Sequence, residues 1–139
     1  MTGSSRPPAC APSPRCSPTG RPTRAIAAAR SRPSSINYED RGDAVLLLLG
    51  QEAWEPFAAR VTSTGKRLHR EWVQAAFADV VGSLSDTSHT ETIDLLVAAT
   101  DVSVWKIWRR DQGRSRDETI ERMLRLAASV ADKTGRDAS

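Results

Sequence analysis

The chain has little sulfur, few aromatic rings and no long apolar run. Its 139 residues include two cysteines, Cys10 and Cys16, with Pro12 and Pro14 between them. Such a pair, with no histidine nearby, is a poor metal site and no basis for a disulfide scaffold. A reducing compartment fits that usage, and a cytoplasmic location is the expectation. The apolar run at residues 44–49 is far shorter than the roughly 20 residues a membrane helix needs, so no membrane partner is expected. The amino terminus lacks the apolar core of a secretory signal. Its arginine- and serine-rich, acid-free start suits a transit peptide in composition, but its prolines work against an amphipathic targeting helix.

Catalytic constellations are also missing. The histidines are His69 and His89, and neither neighbours a cysteine. There is no glycine-rich phosphate loop and no His-Glu-x-x-His pair. Asp94 and Asp101 lie on one face of an expected helix, where capping or solvated roles outweigh a paired-carboxylate role. The sequence therefore reads as a non-enzyme that needs no metal and no cofactor.

Charge is unevenly placed. The net charge is +3, yet residues 1–35 carry six arginines (Arg6, Arg15, Arg21, Arg24, Arg30, Arg32) and no acid. The rest of the chain is mildly acidic, so the high isoelectric point does not imply a nucleic-acid surface on the fold. Residues 1–35 also hold seven of the eight prolines and none of the aromatic residues. Apart from a short apolar run at 25–29, they show no periodicity. Such a segment buries too little surface to offset its ordering entropy, so disorder is expected there. A basic arm touching phosphates is one reading of it; a solvated tail without a role is the preferred one.

From residue 36 the texture changes. Residues 90–130 carry two helical patterns. Ile93, Val97, Thr100, Val104 and Ile107 recur at three- and four-residue steps, with Leu96 and Trp108 beside them. Ile120, Leu124, Ala127 and Ala131 repeat this, flanked by Met123, Leu126 and Val130. Gly113 follows Arg109 and Arg110 as a helix-closing glycine, and Ser115 precedes Glu118 at capping-box spacing. Ser88 and Glu91 show the same spacing. The expectation is a helical hairpin at 90–112 and 116–132, with wide apolar faces that cover the domain core and a second copy. Residues 38–51 read as a helix, with a strand at 44–49 as the alternative. Residues 57–81 read as one long helix closed by Gly82. Val61, Gly65, Leu68, Trp72 and Ala76 line one of its faces. Gly65 lowers helix propensity there by about 1 kcal/mol relative to alanine, which a closely passing helix or ligand would explain. The predicted fold is all-α, a bundle of about four helices spanning 36–132, with a frayed end at 133–139.

Six large rings, Trp54, Phe57, Trp72, Phe77, Trp105 and Trp108, sit on these helices or their flanks. An aromatic ring with an N–H suits a ligand cavity, though plain core packing explains any single one. His69, on the helix of Trp72, is a candidate to point into such a cavity.

The segments YEDRGDAVLLLLGQE (38–52), GKRLHREWVQAAFADVV (65–81) and LLVAATDVSVWKIWRRDQGRSRDETIERMLRLA (95–127) together resemble the carboxy-terminal domain of TetR-family (tetracycline-repressor-like) transcriptional regulators. The resemblance rests most on Thr100-Asp101 with Val104-Trp105-Lys106, on Arg109-Arg110-Asp111 with Gly113, and on Gly65 with His69, Trp72 and Phe77. It implies a small-molecule-sensing domain that forms a homodimer through its last two helices. Carried over by position, a small apolar effector would meet Trp54, Phe57, Leu68, His69, Trp72, Phe77 and Val97. The dimer interface would hold Val104, Trp105, Trp108, Ile120, Met123, Leu124 and Ala127. The family's helix-turn-helix head has no counterpart in residues 1–35, so DNA contact is expected only through a missing or partner-supplied head. Truncation or a shifted reading frame would account for that departure. The alternative is a stand-alone helical protein-interaction module with no role in transcription.

Overall fold

The computed structural model describes residues 38–137, all of it helix and connecting turn. Expectations for residues 1–35 lie outside the described residues. The helices are α1 (Tyr38–Gln51), α2 (Pro56–Ala76), a single turn α3 (Ala78–Val81), α4 (Asp86–Ala99), α5 (Val102–Lys106) with a π-helical turn (Ile107–Asp111), and α6 (Arg116–Asp137). Among the described residues there is no strand, which settles the helix reading of 44–49, and no helix is long and apolar enough to cross a membrane.

Local chemistry sets these bounds. Glu55 caps α2, its Oε2 accepting the Ala58 N–H at 2.7 Å, and Pro56 takes the first helical position, where a missing N–H is no loss. The capping box of α6 forms as expected: Ser115 N–H donates to Glu118 Oε2 at 2.9 Å, and Glu118 N–H donates to Ser115 Oγ at 3.2 Å. Gly113 adopts φ +64°, the left-handed turn that only glycine enters freely. Helix α6 then runs to Asp137, beyond the expected end at 132.

Three boundaries differ from expectation. The helix expected to start at Thr90 begins at Asp86, with Ser85 as its cap, so Ser88 and Glu91 lie inside it and form no capping box. The long helix at 57–81 breaks at Phe77, whose φ of −112° and ψ of 19° leave the helical region. The supposed single helix at 90–112 breaks at Thr100-Asp101. Asp101 restarts it as an N-cap, accepting the Ser103 N–H at 2.8 Å. Asp94 instead pairs with Arg70 at 2.6 Å, so neither carboxylate of that pair faces the other.

Helix α2 packs on α1 and α4, and α4 packs on α6. Between them Val73, Ala76, Phe77, Val81, Ile93, Leu96, Ala99 and Ala127 form the core. Full burial of each larger side chain stabilises the fold by about 1.5–3 kcal/mol.

A second contact ties α1 to the carboxy-terminal half. The Trp105 ring lies so close to the α1 backbone that a β-carbon at Gly42 would stand 2.6 Å from its Cζ3. The indole Nε1–H donates to Glu39 Oε1 at 3.0 Å, Arg109 donates to the same carboxylate at 3.1 Å, and the Arg110 guanidinium sits 4.8 Å above the indole ring while pairing with Asp43. Burial pushes the Glu39 carboxyl up, but the Trp105 and Arg109 donors outweigh that and hold it below the ordinary range. Trp105 is 2% exposed. It is therefore a correction to the expected dimer surface: its face is used up within one chain. Ala127, also 2% exposed, is corrected for the same reason, since its methyl group is enclosed by the core.

Gly42→Ala should lower stability by about 1–3 kcal/mol through overpacking against Trp105, despite alanine's higher helix propensity. Gly50→Ala, where a β-carbon meets nothing within 4 Å, should instead raise stability by about 0.5–1 kcal/mol. Thermal melts of the two variants check this; stabilisation by both would refute the close approach.

Candidate functional site

The break at Thr100 gathers polar groups from three helices. The Tyr38 hydroxyl of α1 donates to the Thr100 carbonyl at 3.1 Å, and His69 Nε2 of α2 lies 2.9 Å from Thr100 Oγ1. Thr100 Oγ1 also lies 2.8 Å from the Leu96 carbonyl, so its one proton has two acceptors within reach, and the imidazole tautomer decides which of His69 Nε2 and Thr100 Oγ1 donates to the other.

Burial acts on both titrating groups. His69 is only 5% exposed, and desolvation lowers its pKa, with the negative charge of Asp101 opposing the shift. Burial, aided by Asp101, raises the Tyr38 hydroxyl well above its ordinary value of 10.0. Both therefore remain neutral across the ordinary pH range.

Trp72 completes the group. Its ring stacks on His69, with centroids 6.0 Å apart and planes 19° from parallel. Its Nε1–H is the one buried side-chain polar atom among the described residues without a hydrogen-bond partner. A buried donor left unpaired costs about 1–3 kcal/mol. The cluster thus sets one unpaired indole donor beside a buried imidazole and an apolar core. Such a donor suits recognition of a mainly apolar molecule with a single polar group. Among the described residues no group of three or more His, Cys, Asp or Glu side chains is placed to hold a metal.

The seven expected effector contacts do not converge. His69, Trp72, Phe77 and Val97 gather at the core and its edge. Trp54, Phe57 and Leu68 face outward, 73%, 58% and 52% exposed. Helical phase explains the correction for Phe57 and Leu68: their face lies about a third of a turn from the one carrying Ala58, Thr62, His69 and Val73. An open groove of about 780 Å³ on α4, lined by Asp86, Thr87, Thr90, Glu91, Asp94 and Leu95, includes none of the seven.

Of the expected dimer residues, Ile120 is exposed, while Val104, Trp108, Met123 and Leu124 are half-buried. Tyr38 and Thr100 were not expected in a site. The Thr-Asp pair inside an apolar stripe was the available signal, because those two residues favour caps over helix interiors. No family model, curated protein or solved structure matches the chain.

The neutral His69 gives a signed pH prediction. The unfolded chain takes up a proton at the ordinary histidine value of 6.5 more readily than the folded one. Its contribution is therefore present above that pH and lost as pH falls below it. Tyr38 acts at the other end, its contribution being lost as pH rises through 10.0. Denaturation at stepped pH should show both limbs, and His69→Gln should flatten the one between pH 6.5 and the carboxylate range. An acid limb unchanged by that variant would contradict the buried neutral imidazole.

Proposed function

We propose that residues 38–137 form a small-molecule-sensing and dimerising regulatory domain of the tetracycline-repressor type. The observation that carries this reading is the His69–Trp72 stack beside Thr100. A buried, unpaired indole N–H and a buried imidazole stand where α1, α2 and the α4–α5 break meet. An effector with an apolar body and one hydrogen-bond acceptor would pair that donor. In doing so it would bias the junction, because Tyr38 and His69 both bind Thr100 there.

Pairing is assigned to the last helices, with the seam reduced to outward groups: Ile120 with Ile107 and Leu126, all exposed, flanked by Val104, Trp108, Met123 and Leu124. Trp105 and Ala127 are left out. On this reading operator contact belongs to a separate head.

A second reading, a helical protein-interaction module with no role in transcription, is favoured by the outward Trp54, Phe57 and Leu68. Two measurements separate them. Ile120→Asp should halve the solution mass by sedimentation without loss of helix, since an unpaired carboxylate is costly in an apolar seam. A panel of apolar compounds bearing one acceptor should raise the melting temperature of the wild type, and raise that of Trp72→Phe less. An unmoved mass together with an inert panel would leave the interaction module standing.

A further inference from the structure

Among the described residues nothing packs on the glycine in the middle of α2. A β-carbon at Gly65 would meet nothing within 4 Å, so neither a neighbouring described helix nor a turn accounts for it. It sits midway along an apolar stripe, at one edge of the arc, and the stripe is exposed over most of its length. Phe57, Val61, Gly65, Leu68 and Trp72 fall within about 80° of arc at 100° per residue. Phe57, Val61 and Leu68 are exposed, and Trp72 is partly buried at the stripe's far end.

The stripe is close to symmetric about Gly65. Val61 and Leu68 stand one turn to either side, and Phe57 and Trp72 stand two turns away. Reversed end for end, it presents apolar groups at the same positions. An isologous contact requires that property.

We propose that a second copy of this chain docks on this face of α2, antiparallel and centred on Gly65. The bare glycine backbone lets the two helices approach closely at the axis. Val61 of each copy meets Leu68 of the other, and Phe57 meets Trp72. A two-fold axis across the helices returns each edge of the stripe to the same edge of the other copy. On the open edge this sets Arg60 beside Glu71 of the second copy, twice over, and Arg67 beside Thr64, so no like charges face each other there. Within one chain Arg60 leans over the Phe57 ring and Glu71 holds only an exposed contact with Arg67 at 3.3 Å, so both are free to turn to the seam. Trp54, just ahead of α2 and 73% exposed, brings the apolar surface to the order of 500 Å² per copy, against roughly 800 Å² per partner in a standard interface. The charged rim supplies the remainder.

This contact is separate from the pairing assigned to α6. Both together compose a dimer of dimers; α2 alone gives a dimer whose mass Ile120→Asp does not change.

Cysteine cross-linking of the full chain tests it. In a Cys10→Ser, Cys16→Ser background, Gly65→Cys should form a reducible dimer under mild oxidation, because the axis brings its two copies within disulfide reach. Ser63→Cys, exposed on the opposite side of α2, should not. Leu68→Glu added to Gly65→Cys should weaken self-association at least roughly tenfold and abolish the cross-link. Glu71→Arg should weaken it by roughly threefold, and Arg60→Glu added to Glu71→Arg should restore it. Gly65→Cys that cross-links no better than Ser63→Cys, or that ignores Leu68→Glu, would overturn the proposal, as would charge reversal without rescue.

Discussion

The six-membered ring of Trp105, set against the bare backbone at Gly42, is the contact on which the rest depends. It joins the first described helix to a five-residue helix far along the chain. Neither partner is stable alone: α1 is apolar on most sides, and α5 is too short to form in water. The indole donates to Glu39, Arg109 closes over the same carboxylate, and Arg110 covers the ring from outside while holding Asp43. Hydrophobic burial, a charge-assisted hydrogen bond and a cation–π contact thus act on one residue. With α1 fixed in this way, Tyr38 reaches the Thr100 carbonyl.

The polar junction follows from that placement. Thr100 ends α4, and its hydroxyl lies within hydrogen-bond distance of both the Leu96 carbonyl and His69 Nε2. A low-dielectric setting makes such a chain of hydrogen bonds strong when complete and costly when broken. The unpaired Trp72 donor is the place where it is incomplete. Under the proposed sensing role, the effector is best sought where the fold's own hydrogen bonding leaves one donor over.

Much of the architecture is readable in the sequence, for identifiable reasons. The span Tyr38–Gln51, the Ser115–Glu118 capping box and the Gly113 turn rest on local rules that tertiary context did not override. The break at Thr100-Asp101 was hidden because apolar residues on both sides keep step across it. Periodicity marks a face but not what covers it. The pattern therefore suggests an intersubunit Trp105 although α1 covers it, and pocket walls at Phe57 and Leu68 although no described residue covers them. Gly65 is the informative anomaly: its helix penalty points to a close neighbour, and none lies among the described residues.

Trp105 and Glu39 bind α1 to the carboxy-terminal half, so α1 opens only when the whole domain unfolds. Native-state hydrogen exchange of the amides at 42–49, compared with those at 93–99 in α4, tests this most directly. One opening free energy is expected for both sets, shifting together with denaturant. Faster exchange at 42–49, independent of denaturant, would mean that α1 detaches by itself and that the Trp105 contact does not hold the fold together.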